Sequence, residues 1–242
     1  NLLNDSYNYN ILCLAEGPGG FIEAINNYRQ TYHSSKNDIY GITLKSYNKD
    51  IPGWKKAFFY LKNNSNINIS YGKDGTGNIY NLANIIHFNN MIRQKYVNGV
   101  DVITADGGFD FSIDFNNQEK LSQKLIYCEI VTALTLQKKG GCFICKFFDL
   151  YSELSISFIY LLSCFYSDIY INKPLTSRPA NSEKYIIVKN FIGIPNTYLN
   201  QLQLLIEQWN IIDLNKWNVI SIFNQKIPKH FVKDILKYNT EN

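Results

Sequence analysis

The sequence has no apolar run long enough to cross a lipid bilayer. The longest, around Phe158 to Tyr166, is far shorter than the roughly 20 residues that a transmembrane helix requires. No signal-peptide pattern appears among the printed residues either. We therefore expect no membrane partner.

The five cysteines do not form a metal site or a disulfide framework. Cys142 and Cys145 make a CxxC pair, but their apolar surroundings predict a strand, in which the two sulfurs point to opposite faces. No second CxxC and no histidine pair is available to complete a zinc site. Cys13, Cys128 and Cys164 lie in apolar segments and are expected to be buried. This pattern predicts no structural metal and suits a reducing compartment.

The charge excess is small. Lys and Arg number 24 against 20 Asp and Glu, a net charge of +4. Such a bias permits a polyanionic partner, although an ordinary solvated surface explains it at least as well.

The clearest feature is a glycine-rich turn between a strand and a helix. Ile11-Leu-Cys-Leu14 predicts a short buried strand, Gly17-Pro-Gly-Gly20 a turn, and Phe21 begins a helical pattern. This order brings bare backbone close to a ligand at a helix N-terminus. Many such turns are only tight connections, so whether this one binds a ligand depends on the later segments of the chain.

Predicted strands and helices alternate along the chain until the last two strands, whose short connection predicts an antiparallel hairpin. This order indicates an α/β fold, namely a Rossmann-like, seven-stranded, mostly parallel sheet with helices on both faces. We assign residues 1–192 to this domain and residues 193–242 to a C-terminal helical extension. The predicted strands are Ile11–Leu14, Ile39–Thr43, Ile67–Ser70, Val100–Ala105, Cys142–Phe148, Asp168–Lys173 and Lys184–Lys189.

Four polar residues stand at or near strand ends, where ligands bind in such sheets. Asp106 precedes two glycines and is either a site residue or a turn or cap aspartate. Lys146 lies inside an apolar strand and either serves a site or extends its amine to water. Glu183 and Lys45 would alone be an edge residue and a solvated loop lysine.

Four motifs follow one another along the chain: Gly17-Pro-Gly-Gly-Phe21, Ala105-Asp-Gly-Gly-Phe109, Gly140-Gly-Cys-Phe-Ile-Cys-Lys-Phe-Phe-Asp149 and Ser177-Arg-Pro-Ala-Asn-Ser-Glu-Lys-Tyr185. In their residues and order they resemble the FtsJ-type family of S-adenosylmethionine-dependent ribose 2′-O-methyltransferases. The last two are long and specific. With Gly41-Ile-Thr-Leu-Lys45, they look most like the branch in eukaryotes and large DNA viruses that methylates the first nucleotide of capped mRNA. The resemblance covers roughly residues 10 to 190.

The resemblance implies a Lys-Asp-Lys-Glu catalytic tetrad, whose last three members match Asp106, Lys146 and Glu183. The first lysine normally precedes the glycine motif, but none of the 16 residues before Gly17 is Lys or Arg. It either lies upstream of this chain or the activity is impaired, and Lys45 is not a substitute. Lys146 would act as the base when neutral, and the two carboxylates would orient it. The transfer requires no metal.

The resemblance also implies a cofactor site and an RNA site. S-adenosylmethionine would contact Glu16, Gly17, Pro18, Gly19, Gly20, Phe21, Thr43, Leu44 and Asp106, with Asp74 or Asn78 at the adenine edge. RNA would meet Lys45, Arg178 and Ser182, and further phosphate contacts would come from Lys49 and Lys173. Tyr47, Trp54 or Phe109 would stack on a base or the cap, although core packing explains each of them better.

Three functions remain open at this point. The first is cap ribose methylation, with capped RNA and other capping or transcription proteins as the expected partners. The second is the same chemistry on ribosomal or transfer RNA. The third is a catalytically impaired scaffold that binds cofactor or RNA. We expect an intracellular location, in the nucleus or cytoplasm, or in a virion or viral factory if the chain is viral.

Overall fold

The computed structural model describes residues 3, 7–33, 37–45, 53–54, 57–108, 117–178, 181–213 and 218–241. The strands in these residues are β1 (Ile11–Leu14), β2 (Ile39–Ile42), β3 (Ile67–Ser70), β4 (Val100–Ala105), β5 (Gln137–Phe147), β6 (Tyr166–Asn172) and β7 (Lys184–Phe191). The helices are α1 (Gly20–His33), α2 (Phe58–Asn63), α3 (Leu82–Lys95), α4 (Gln118–Leu136), α5 (Glu153–Phe165), α6 (Asn196–Ile211) and α7 (Lys229–Glu241).

The strands form one sheet in the order β3-β2-β1-β4-β5-β7-β6. The first five are parallel, whereas β7 lies antiparallel between β5 and β6. The predicted Rossmann-like α/β fold is therefore confirmed. Because the chain order reverses between β1 and β4, the carboxyl ends of these two strands open beside each other.

Two elements differ most from the sequence expectation, whereas β2, β6 and β7 depart from their predicted bounds by no more than two residues at either end. Strand β5 begins at Gln137, five positions before the predicted start at Cys142, and runs through the Lys-Lys-Gly-Gly segment. The Gln137 side-chain amide donates to the carbonyls of Val100 and Asp101, where the pairing register of β4 shifts. These tertiary contacts explain why the strand begins earlier than its local sequence pattern predicts. Helix α2 was not predicted and has only six residues.

Helix α4 is the centre of the larger core. Residues 125 to 134 of α4 are buried against the sheet, α3, α5 and α6. Residues of α6 and α7 also join this core, including Trp209, whose ring lies 5.6 Å from that of Tyr127. The domain boundary at residue 192 stays a prediction.

Four of the cysteines, Cys13, Cys128, Cys142 and Cys145, are buried, but Cys164 is exposed near the end of α5, so the expectation that it is buried was wrong. It lies on the side of the helix that faces away from the core, which the apolar run around it does not reveal. Within the described ranges, no helix is long and apolar enough to span a membrane. The same residues contain no group of three or more His, Cys, Asp or Glu side chains that would hold a metal ion.

Candidate active site

Three of the predicted site residues lie just beyond the carboxyl ends of parallel strands. Glu16 lies just beyond β1, Thr43 beyond β2, and Asp106 beyond β4. Register pairing sets Leu14 opposite both Ile42 and Ala105, so the three strands end at the same level. Glu16 and Thr43 are buried, whereas Asp106 is half-buried.

Lys146 and Asp106 form the centre of the site. The Lys146 Nζ atom lies 3.1 Å from Asp106 Oδ1 and donates to the Asp106 backbone carbonyl at 3.0 Å. Tyr185, the cross-strand partner of Lys146, donates its hydroxyl to the same Oδ1 atom at 2.9 Å. Burial and the nearby Asp106 carboxylate raise the pKa of Tyr185 well above its usual range, so the phenol keeps its proton.

Glu183 lines a cavity whose wall also includes Tyr185, the residue that donates to Asp106. The cavity measures about 390 Å³ and is lined by Phe21, Ile144, Asn172, Pro174, Thr176, Ser177, Glu183, Tyr185 and Ile187. Among the residues that the structure describes, the Glu183 carboxylate has no ion pair with Lys146 within 4 Å. The structure thus joins Asp106 to Lys146 and leaves Glu183 further along the cavity wall.

The glycine turn is held by Glu16 and Trp54. Glu16 Oε1 accepts the Phe21 amide proton at 3.2 Å, and the Glu16 carbonyl accepts the Trp54 indole at 3.0 Å. At Gly19, with φ of +107°, a Cβ atom would lie 2.2 Å from the Trp54 ring. Trp54 is only 6% exposed, which agrees with core packing, the explanation that the sequence favoured over stacking on a base or the cap.

Glu16 is an unusual carboxyl. Burial, with a smaller contribution from the Asp106 charge, raises its pKa to about 7. Its Oε2 atom is buried and has no hydrogen-bond partner in the part of the chain that the structure describes. Gly20, the last residue of this turn and the first of α1, has open space beside its backbone, since a Cβ atom there would meet nothing within 4 Å.

The loop that follows β3 packs on the end of β2. Gly77 has φ of +68°, and a Cβ atom there would lie 1.6 Å from the Thr43 carbonyl oxygen. The Lys45 amide donates to the Thr76 carbonyl at 2.7 Å. The loop therefore lies directly beside the predicted adenine position, at Thr43 and Leu44.

Within this loop, Asp74 and Asn78 have different roles. The Asp74 carboxylate accepts hydrogen bonds from Thr76, Asn81 and Asn84, which lower its pKa to about 2. Asp74 thus closes its own loop. Asn78 uses its side-chain oxygen for the Tyr80 amide, at 2.9 Å, and its amide nitrogen has no partner among the described side chains and backbone groups. Of the two candidates for hydrogen bonding to the adenine edge, Asn78 is the one whose side-chain N–H donors have no partner among the described residues.

The predicted RNA contacts are only partly available. Lys45 and Arg178 are exposed, and the Lys45 amine lies 5.6 Å from the centre of the Tyr71 ring. Ser182 donates its hydroxyl to Gln118 at 3.0 Å. Lys173 donates to the carbonyls of Asn181 and Glu183, so it holds the loop before β7. Lys49, Tyr47 and Phe109 lie outside the described residues.

Sequence reasoning missed two residues at this site, Tyr185 and Glu129. Tyr185 stands at the end of a recognised motif, but its bond to Asp106 depends on the pairing of β5 with β7. Glu129 lies within the apolar helix α4 and is fully buried. A charged residue between Cys128 and Ile130 was the available signal.

Comparison with known proteins agrees with this architecture. The model of the FtsJ-like methyltransferase family matches residues 2–191. Over 216 residues, 87% of this chain, the sequence is 34% identical to a cap-specific mRNA (nucleoside-2′-O-)-methyltransferase 1 from Drosophila melanogaster. The identity to the human protein of the same name is 36% over 201 residues, 77% of this chain. The chain spans about a quarter of these relatives, 26% and 23% of their lengths.

Two solved structures share the fold. A putative ribosomal RNA methyltransferase from Plasmodium falciparum superposes with a TM-score of 0.51 at 19% identity, covering 78% of this chain and 91% of that one. Human methyltransferase-like protein 13, in complex with SAH, gives a TM-score of 0.50 at 10% identity, covering 92% of each chain. The sequence match, the sheet order and the glycine turn lead to one conclusion: this chain belongs to the FtsJ-like methyltransferase family.

Proposed function

We propose that this chain is the catalytic domain of a cap ribose 2′-O-methyltransferase that uses S-adenosylmethionine. The observation that carries the proposal is the contact between Lys146 and Asp106 beside the glycine turn. It stands in a chain that is 34–36% identical to cap-specific enzymes of the fly and human. The motif at Ser177–Tyr185 favours capped mRNA over ribosomal or transfer RNA.

The residues at the glycine turn fit the cofactor. S-adenosylmethionine supplies a methyl group on a sulfonium cation and carries an ammonium group. Glu16 offers a buried carboxyl oxygen without a partner, which a positive group would satisfy. The open backbone at Gly20 begins α1, where free amides suit a carboxylate. Thr43, Leu44 and Asn78 would hold the nucleoside.

Lys146 acts on the sugar hydroxyl. A neutral Lys146 accepts the 2′-hydroxyl proton on Nζ as the oxygen attacks, and Asp106 and Tyr185 fix the direction of the amine. The sulfonium cation of the bound cofactor and the first lysine that the family implies would place positive charge near the amine, which favours the neutral form that the base requires. Holding hydroxyl and methyl in line lowers the barrier by about 7 to 11 kcal/mol in favourable cases.

Capped RNA is the proposed substrate, and the cavity beside Lys146 would receive the target nucleotide. Lys45 and Arg178 would contact phosphates, which predicts salt-sensitive binding that is independent of sequence. We propose that the protein works wherever capped transcripts are processed, together with other capping or transcription proteins.

The proposal is tested by methyl transfer from tritiated cofactor with the full-length protein. Matched transcripts with a cap, without a cap, and with a cap followed by a 2′-deoxynucleotide separate the alternatives. Transfer to the first transcript alone supports cap methylation. Equal transfer to the uncapped transcript favours ribosomal or transfer RNA, and cofactor binding without transfer favours a scaffold.

A further inference from the structure

Glu129 is a carboxyl group in the middle of the protein core. It belongs to α4, is 0% exposed, and lies between buried Cys128 and Ile130. Burial of a carboxyl group is costly unless its oxygens receive hydrogen bonds. Its position therefore calls for an explanation beyond the packing of α4.

The two oxygens of Glu129 contact the chain neighbours of both central site residues. Oε1 accepts the amide proton of Gly107, which follows Asp106, at 3.0 Å. Oε2 lies 3.7 Å from the sulfur of Cys145, which precedes Lys146 and donates its thiol. One side chain of α4 thus links the end of β4 to β5 at the level of the site.

A single peptide group connects Glu129 to Lys146. The Asp106 carbonyl accepts from Lys146 Nζ at 3.0 Å, and the N–H of the same peptide donates to Glu129 at 3.0 Å. Because a peptide group is planar, fixing its N–H also fixes the direction of its carbonyl. The turn has little room for another arrangement, since a Cβ atom at Gly107 would lie 2.3 Å from Glu129 Oε1.

We propose that Glu129 is a positioning residue, which holds the Asp106–Gly107 peptide and thereby places the amine of Lys146 at the site. The effect on methyl transfer rests on the proposed function, whereas the effect on the peptide does not.

A glutamine should replace Glu129 well near neutral pH. The charged or titratable groups around the carboxyl are Lys146, Asp106, Cys145, Cys128 and Tyr80. Burial raises the pKa of Glu129 to about 8, so the group is largely neutral at pH 7. A neutral acid and an amide share the oxygen that accepts from Gly107. On the other side each presents an O–H or N–H donor, for which the Cys145 sulfur would act as acceptor instead of donor.

The test compares Glu129→Gln with Glu129→Met in the full-length protein. Methionine keeps the length and burial of the side chain but accepts no comparable hydrogen bond. Glu119 gives a matched control, because it lies on the same helix and accepts the backbone amide of Ser152 at 2.9 Å, away from the Asp106 turn. Two readouts are taken for each variant: hydrogen exchange at the Gly107 amide, and kcat and KM for methyl transfer.

We expect Glu129→Met to speed Gly107 exchange and to lower kcat, each by about tenfold or more, with KM for RNA changed less than about threefold. Glu129→Gln should restore both to within about threefold of wild type. Glu119→Met should leave Gly107 exchange and kcat unchanged. Unaltered Gly107 exchange in folded Glu129→Met, or a glutamine variant as poor as methionine in both readouts, would overturn the inference.

Two further outcomes stay decisive. If Glu129→Met does not fold, hydrogen exchange at the Gly107 amide is compared between the wild type and Glu129→Gln. Unprotected exchange in the wild type overturns the inference, and protection that is kept in Glu129→Gln supports it. If the wild-type protein transfers no methyl group, the proposed function fails, while the exchange data still decide the role of Glu129.

Discussion

The Tyr185 hydroxyl and the Lys146 amine meet on the same atom of Asp106. Oδ1 lies 2.9 Å from the phenol oxygen and 3.1 Å from the amine. The two side chains come from cross-strand partners in β5 and β7, so the sheet itself aligns both on Asp106. This arrangement fixes the carboxylate from two sides.

Tyr185→Phe should therefore lower kcat for methyl transfer by about three- to tenfold, the cost of one hydrogen bond to a charged group. The ring contact with Phe21, at 5.9 Å between centroids, is kept, so cofactor affinity should not change. Steady-state kinetics together with calorimetric cofactor binding check this. Tyr170 lies on β6 with its side chain half exposed, so Tyr170→Phe is the control and should match wild type. A kcat for Tyr185→Phe equal to that of the control would remove the phenol from the mechanism.

Gly77 and Gly75 provide a matched pair for the loop beside the adenine position. Both have positive φ, +68° and +78°, but only a Cβ atom at Gly77 would meet backbone, 1.6 Å from the Thr43 oxygen. Gly75→Ala should cost about 1 kcal/mol of unfolding free energy from backbone strain alone, and Gly77→Ala distinctly more. Urea denaturation measures the difference. Equal losses for the two variants would mean that the loop does not pack on β2 as described.

Asp74 should act on the cofactor through its loop. Asp74→Ala removes the acceptor for Thr76, Asn81 and Asn84, so we expect cofactor affinity to fall by roughly tenfold as the loop loosens. Isothermal titration with the demethylated cofactor measures the change. The exposed neighbour Lys73 provides the control, and Lys73→Ala should bind normally. Unchanged affinity in Asp74→Ala would assign no role to this loop in binding.

Glu129 predicts a specific dependence of stability on pH. Its pKa is raised from 4.5 to about 8 in the folded protein, so the folded state holds a proton that the unfolded state has lost. The contribution of Glu129 to the free energy of unfolding is fully present below about pH 4.5 and falls as the pH rises towards 8. Glu129→Gln does not titrate, so its advantage over wild type should grow across this range, by on the order of a few kcal/mol in total. Denaturation midpoints at several pH values check the sign. A constant difference between the two proteins would show that Glu129 is ionised throughout.

The sequence predicted the fold well because the strands that carry the site are short and strongly apolar. Ile11–Leu14, Ile67–Ser70 and Val100–Ala105 were predicted with the bounds that the structure has. The start of β5 was missed, because it depends on tertiary bonds from the Gln137 side chain rather than on local pattern.

The site was predicted only as far as motif residues allow. The pairing of Asp106 with Lys146 follows from strand ends that share an edge of the sheet. The contributions of Glu129 and Tyr185 depend on a helix crossing beneath β4 and on the β5–β7 register, which local sequence does not encode. The burial of Trp54 under Gly19 likewise follows from long-range packing.

The role of Lys146 is tested most directly by its removal. Methyl transfer to capped RNA is measured with the full-length protein, with Lys146→Ala, and with Lys189→Ala as the control lysine on β7. We expect Lys146→Ala to lower kcat by about 100-fold or more with cofactor affinity intact, and Lys189→Ala to match wild type. Equal rates for wild type and Lys146→Ala would contradict the account.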